Sequence, residues 1–355
     1  MINLRKVGLT ALAGSLAAVS ANAGEISVSG AANLTYVTKS GENTQSLGMD
    51  RDVKFSGSGE MDNGWTVSFH TTMTDAFAVS SSATVIGMGS LGSIGLAYGG
   101  GTNVNGAYDE TYPRAYEENS DAGGQSTANY VGNFADDNAI IYQLPAMEFM
   151  GVSISSGVEY SLQASGDSTA VDGGAIASSN TWGDGYGVGV TLSNDMGLSV
   201  GGYYATRENK NHNNVADVND ETNMSGFVNY SMGPVAIGYQ QFYVDSGLTD
   251  ASAVGTTNSV KTVGTSSGQF DGDAMSIAFN VNDDLSISYA EVEETHDFRE
   301  ASTTNDVTQE SESLQIAYSM GSMSIKAYTT EITNPNFNEA AANLKKNEIA
   351  LGLAF

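Results

Sequence analysis

Cysteine is absent, proline occurs only four times, and charged residues make up 15% of the 355 positions. Without cysteine there is no disulfide framework, thiol nucleophile or cysteinyl metal site. A charged fraction well below the typical ~25% makes a water-soluble surface of lysine and glutamate hard to assemble. Cations are scarcest. The 13 Lys and Arg face 41 Asp and Glu, a formal charge of -28, which repels polyanions and argues against nucleic-acid partners. No segment after the first two dozen residues offers the ~20 apolar residues of a membrane-spanning helix. Glycine is abundant instead, at 42 residues, about 12% against an average near 7%, which disfavours a helical bundle.

Met1 to Ala23 carries Arg5 and Lys6, a mostly apolar run from Val7 to Val19, and Ala21-Asn22-Ala23. That is a charged start, a short apolar stretch and a small-x-small cleavage pattern, so residues 1–23 read as a secretory signal peptide. The segment holds two basic and no acidic residues, so its removal takes the formal charge from -28 to -30. Residues 24–355 read as one domain. An acidic exported chain of this kind is either secreted or placed in an outer membrane as strands.

The hydrophobic period is two. Ile349, Leu351, Leu353 and Phe355 alternate with Glu348, Ala350, Gly352 and Ala354, and Leu314, Ile316, Tyr318 and Met320 alternate with Gln315, Ala317 and Ser319. Met275 to Val281 and Leu285 to Tyr289 repeat the pattern. Alternation of this kind marks strands with unlike faces. In a soluble sandwich the apolar face would be core. Here the other face is small and polar enough for a wet lumen, and aromatics recur near strand ends, as in membrane girdles.

Compact turn signals fall at Asp62-Asn63-Gly64, Ser90-Leu91-Gly92, Pro145 to Gly151, Asn194 to Gly197, Gly233-Pro234, Asn282 to Asp284 and Gly321-Ser322. Successive short turns are separated by two strand-like runs joined through a longer polar stretch, such as Glu208 to Thr222 or Ser246 to Gln269. Seven turns make eight such units, which predicts an all-β transmembrane antiparallel barrel of about sixteen strands. A barrel that wide leaves an aqueous channel. Gly183, Gly185, Gly187 and Gly189 lack the spacing of a nucleotide loop and read as one face of a strand.

Strand character fades after Tyr98 and resumes near Ala139. A loop of that length is uncommon unless functional. It carries Asp109, Glu110, Arg114, Glu117, Glu118 and Asp121, together with Tyr112, Pro113 and Tyr116. Outside the barrel it would be an exposed extracellular loop. Folded into the lumen it would narrow the bore and set a negative field where ions pass, which is the preferred expectation.

Several stretches resemble the Gram-negative general porins, most closely the alphaproteobacterial type: Asp52-Val53-Lys54-Phe55-Ser56-Gly57-Ser58-Gly59-Glu60 with Asp62-Asn63-Gly64, Gly89-Ser90-Leu91-Gly92, and Asn138 through Tyr142 to Pro145 with Phe149 and Gly151. Terminal Phe355 is similar to the family's assembly signal, read by the outer-membrane assembly machinery. The resemblance implies a homotrimer of sixteen-stranded barrels in the outer membrane, each with its third loop bent inward, passing small hydrophilic solutes by passive diffusion. Enterobacterial porins set a basic cluster opposite that loop. The matching positions here are Asp52, Tyr98 and Ile141, none of them basic. Strand parity turns Val53 and Phe55 to lipid and Asp52 and Lys54 to the lumen, leaving Lys54 and Lys326 as wall cations beside His70. With its acids largely unopposed, the channel is expected to prefer cations.

Other chemistry is weakly supported. His70 with Ser68 reads as pore lining rather than a catalytic dyad, and His212 and His296 read as solvated and form no zinc pattern. Asp217, Asp220 and Glu221, or Glu291, Glu293 and Glu294, offer oxygen ligands without calcium-loop spacing and read as solvated loop charge. No cofactor is expected, and loop-bound calcium or divalent bridging to lipopolysaccharide is left without assigned ligands. The rival readings are a solute-selective channel of the same architecture, a secreted β-rich surface or adhesin protein, and, last, a membrane-embedded hydrolase.

Overall fold

The computed structural model describes residues 26–41, 45–74, 78–98, 103–136, 138–162, 182–210, 219–248, 257–298 and 306–355. The expected signal peptide, His212 and Asp217 therefore lie outside the described residues. The described chain forms one antiparallel sheet: β1 (Ser27–Lys39), β2 (Ser46–Glu60), β3 (Thr66–Met73), β4 (Val79–Gly87), β5 (Ser93–Tyr98), β6 (Ala139–Gln143), β7 (Met147–Phe149), β8 (Val152–Ser161), β9 (Trp182–Asn194), β10 (Leu198–Asn209), β11 (Glu221–Met232), β12 (Val235–Asp245), β13 (Gln269–Asn280), β14 (Leu285–Asp297), β15 (Val307–Met320), β16 (Met323–Thr333) and β17 (Leu344–Ala354). Each strand pairs with its neighbour in sequence except β6 and β7, which both pair with β8, and β1 pairs with β17 from Ala31↔Ala354 to Lys39↔Lys346. The sheet is thereby closed. Closure leaves no unpaired edge, the condition for strands to cross a membrane.

Seventeen elements make sixteen spans, because β6 and β7 are two parts of one. Both pair with β8, and the register slips by one residue between Gln143↔Gly157 and Met147↔Ile154. Pro145 lies in the slip, where it has no N–H to give a ladder. The turn expected across Pro145 to Gly151 accordingly narrows to Met150-Gly151, both at positive φ (53° and 77°), as a tight hairpin of the primed type requires.

Parity separates the two faces. Ile349 is 56% exposed whereas Ala350 beside it is 0% exposed. Leu314, Ile316 and Tyr318, and likewise Ile237 and Tyr239, are exposed on the same outward set, the pattern of an apolar exterior around a polar interior. Outward aromatics lie toward both ends, with Tyr230, Phe279 and Tyr318 near short turns and Tyr160 opposite Tyr186 near long loops.

Burial is concentrated between the inner wall and the segment joining β5 to β6. Tyr108, Tyr112, Val131 and Phe134 from that segment cluster with Tyr203, Phe227 and Phe242 from β10, β11 and β12. The segment begins after Tyr98 and ends before Ala139, as the loss of alternation indicates.

Candidate functional site

The β5–β6 segment is held by side chains on the inward parity of strands far away in sequence. Glu159 of β8 accepts from the backbone N–H of Val104 (2.6 Å) and Asn105 (3.2 Å), and from the Tyr203 hydroxyl. Gln240 of β12 donates to the Tyr108 carbonyl (2.8 Å) and accepts from the Thr111 N–H (2.8 Å). The N–H of Ala115 donates to Ser288 (2.8 Å), that of Tyr116 to Gln315 (2.7 Å), and that of Thr127 to Glu294 (2.5 Å). The amides of Val104, Asn105 and Thr127 would otherwise be buried without a partner.

Glycines make room for this seat. Tyr108 stacks on Tyr203 with ring centroids 5.3 Å apart. A Cβ on Gly189 would come within 2.3 Å of the Tyr108 ring, and one on Gly238 within 2.3 Å of Pro113. The glycine face of β9 is thus the inner wall beneath a tyrosine.

The acids of the segment are not equivalent. Glu110, expected to face the bore, is 3% exposed, with Ser126 donating to Oε1 at 2.6 Å and the Tyr112 hydroxyl to Oε2 at 3.2 Å. Burial, then the nearby carboxylates, push it up to about 7. Asp109 is also pushed up to about 7, by burial and then by Glu118. Glu118 pairs with Arg114 at 2.6 Å, so Arg114 opposes one of the acids that had been read as largely unopposed. Glu117 is half-buried and pushed up to about 7 by burial and Asp121. Asp121 is exposed; its Oδ2 accepts from the Glu118 N–H at 3.2 Å, and its carbonyl accepts from Lys346 at 2.9 Å.

The acidic stretch ends against β16 and β17, and the wall continues from there through β1, β2 and β3. Asp52 and Lys326 line one cavity with Asp50, and Lys54, His70 and Ser68 line another, so these residues share the inward face as parity predicts. Tyr98, in contrast, shares parity with the exposed Ile94 and Leu96 and points outward, while Ile141 is buried on the inner side. Of the three positions matched to a basic cluster, only Asp52 and Ile141 therefore face inward. The wall is richer in cations than the sequence suggested. Lys326 lies over the Tyr116 ring at 4.8 Å, and Lys346 lies over Tyr328 at 5.4 Å and 3.4 Å from Glu348. Lys39 pairs with Lys346 across β1 and β17. The Tyr116 hydroxyl donates to Glu348 at 2.9 Å.

Three readings are corrected. His296 is 1% exposed among Phe270, Phe298 and Phe337, not solvated. Glu221 is buried, pairs with Arg207 at 2.7 Å and accepts from Tyr130 at 3.0 Å. Glu294 is buried under Thr127, while Glu291 and Glu293 of the same strand point outward, opposite Glu312 and Glu310. All four glutamates belong to strands rather than loops. Sequence reasoning missed Glu159 outright and the fastening roles of Glu221, Glu294 and Glu348; their signal is a glutamate at a parity position otherwise given to small residues. Phe355 is exposed, and its backbone exchanges hydrogen bonds with Gly30 (2.7 and 2.9 Å) where β17 meets β1.

A family profile described as Gram-negative porin matches residues 8–264. No curated protein matches the chain. Among solved structures the fold is similar to OmpF of Salmonella typhi, in complex with daunomycin, with a TM-score of 0.68 and 12% identity over 94% of this chain and 98% of that one. It is similar to an anion-selective porin from Comamonas acidovorans, with a TM-score of 0.61 and 13% identity over 93% and 99% of the two chains. OmpT of Vibrio cholerae in its trimer form gives a TM-score of 0.59 and 12% identity over 94% and 100%. At such identities the structural likeness concerns the fold alone.

Proposed function

Because the chain belongs to the family of Gram-negative porins, and is accordingly an outer-membrane channel, we propose that it passes small hydrophilic solutes and ions by passive diffusion with a preference for cations. The observation that carries the preference is the placement of acids along the open side of the lumen. Asp50 and Asp52 line its wall, and Glu117 and Asp121 stand on the loop beside β17, where among the described residues only Glu118 has an arginine partner within the loop. Lys346 is drawn to Glu348 and Lys326 to the Tyr116 ring, which moderates their pull on passing anions. Charges lining a narrow water-filled passage set its selectivity. The fold does not decide the sign, since the similar Comamonas acidovorans porin is anion-selective.

The β5–β6 segment acts in this reading as the constriction, supported by its hydrogen bonds to inward-facing Gln240, Ser288 and Gln315. The assembly is a homotrimer, as in the trimer form of OmpT of Vibrio cholerae, with Phe355 as the signal for the assembly machinery and lipopolysaccharide around it. The test is the reversal potential of the reconstituted channel in a salt gradient. A cation-selective sign is expected, and an anion-selective sign overturns the preference while leaving the channel. Deleting Tyr108 to Asp121 should raise conductance; an unchanged conductance removes the constriction role.

A further inference from the structure

A cavity of 300 Å³ opens on the inner wall near the short turn Asp62-Asn63-Gly64, formed by β1, β2, β3 and β4, at the lower end of the roughly 300–1,000 Å³ of small-molecule sites. In a chain with 41 acids against 13 Lys and Arg, no carboxylate of the described residues lines it. Its ionisable groups are Lys54 on β2 and His70 on β3. Strand register brings the two together. Ser56 stands opposite His70, and Lys54 is the next inward residue along β2, opposite Thr72. Lys54 and His70 are therefore diagonal neighbours on one face, about 7–8 Å apart and within reach of a long side chain. Among the described residues neither has a carboxylate partner, and the charge that His70 senses is that of Lys54.

Hydroxyls surround the pair. Ser27 stands opposite Ser56 across β1 and β2, and Ser58 opposite Ser68 across β2 and β3; all four line the cavity. On the β4 side His70 meets Ala83, which adds no charge. The inward acids of β2, Asp52 and Glu60, lie beyond Lys54 and beyond Ser58, and neither lines the cavity. The wall thus offers an ammonium, an imidazole that donates an N–H in either charge state, and rotatable hydroxyls, with no acceptor of their own charge to satisfy them.

We propose that this cavity is a binding subsite for phosphate-bearing solutes, free phosphate or a small phosphomonoester, with Lys54 and His70 on the phosphate oxygens and the serine hydroxyls around them. A phosphate presents acceptor oxygens in several directions, so donors from β1, β2 and β3 can be used at once, whereas a carboxylate offers two oxygens in one plane. Lysine serves such groups as a point charge. The subsite rests on the channel reading and deepens it: within a passage that favours cations overall, one stretch of wall receives an anion.

The sequence holds three histidines, His70, His212 and His296, so their imidazole resonances can be followed by NMR in the detergent-solubilised full-length protein, with His70 assigned by its loss in His70→Gln. Titrating inorganic phosphate at pH 7.5 and constant ionic strength should move the His70 resonance saturably, whereas chloride should not. Lys54→Gln should weaken this binding about tenfold, the scale of losing one charge-assisted hydrogen bond, and Ser56→Ala should weaken it less. Glycerol phosphate, titrated separately, distinguishes the two sources: saturation by both probes assigns small esters to the site, and saturation by inorganic phosphate alone assigns the free ion. No movement of His70 with either probe, equal movement of all three histidines, or unchanged binding in Lys54→Gln overturns the subsite. Ion current through a planar bilayer reports that each variant has folded and inserted. A conducting protein whose His70 ignores phosphate overturns the subsite alone, and a protein that binds phosphate but passes no ions overturns the channel reading.

Discussion

Two halves of one inner wall use polar side chains in opposite ways. Along β8 to β15, Glu159, Gln240, Ser288, Glu294 and Gln315 are buried, and each is spent on a backbone group of the long loop. Along β1, β2, β3, β16 and β17, residues of similar chemistry, Asp50, Asp52, Lys54, His70 and Lys326, line open cavities. The difference lies in what faces them. A carboxylate opposite a folded segment becomes a fastener because an unpaired buried N–H is costly. The same carboxylate opposite water remains a charge that ions can sense. The lumen is thus divided into a seat and a passage, and composition alone does not distinguish them.

The largest way to break this division is to remove a fastener. Glu159→Ala should leave the Val104 and Asn105 amides without partners and lower the local stability of the loop base by about 3 kcal/mol, speeding hydrogen exchange of those amides ~100-fold. Unchanged protection would mean that Glu159 is incidental to the seat. A smaller effect should follow from filling the seat. Gly189→Val places carbon where the Tyr108 ring already lies, and overpacking of that kind costs about 1–3 kcal/mol. The expected readout is a lower thermal midpoint together with altered single-channel conductance. If conductance stays the same, Tyr108 is not what ties the loop to β9.

Much of this division was legible in the residues and part of it was not. The alternation from Ile349 to Phe355, the short turns and the loss of period between Tyr98 and Ala139 gave the spans and the loop, because period two and turn chemistry are local properties. The glycine run of β9 could be placed on one face, but its purpose required Tyr108, some eighty residues earlier. The fasteners were illegible for the same reason. Glu294 meets Thr127 across 167 positions and Glu348 meets Tyr116 across 232, and no spacing rule reaches that far. His296 was misread because the polar residues around it suggested solvent, whereas Phe298 two residues on, Phe270 of β13 and Phe337 between β16 and β17 enclose it. Tyr98 failed on parity, since β5 is only six residues long and offers little alternation from which to fix a face.

A gentler probe of the comparison is pH. On the loop, burial first and neighbouring carboxylates second hold Asp109, Glu117 and Glu118 up to about 7, against ~4 for ordinary carboxyls. Between these values the folded loop holds protons that an unfolded one has released. The loop's docking is therefore strongest below pH 4 and weakens as pH rises through about 7. Selectivity moves the other way, because rising pH charges the loop. Cation preference should increase from pH 6 to pH 8, read as reversal potential at fixed salt gradient. A flat profile over that window would show that the loop acids do not face the ions.

The smallest expected effect isolates a single charge on the boundary between seat and passage. Arg114 pairs with Glu118 at 2.6 Å, with its side chain 25% exposed and that of Glu118 23% exposed, and it also donates to the Glu110 carbonyl. Partly solvated pairs contribute on the order of 1 kcal/mol, so Arg114→Gln should leave the barrel folded and alter thermal stability little. It removes the one arginine set against the loop's acids, and the amide can still donate to the Glu110 carbonyl. The reversal potential should shift modestly toward cations, with most of the shift abolished by adding Glu118→Gln, because the freed carboxylate is its source. A shift that survives in the double variant would mean that Arg114 is sensed directly by passing ions, and the seat would then extend less far toward the bore than the hydrogen bonds of Tyr116 and Gln315 imply.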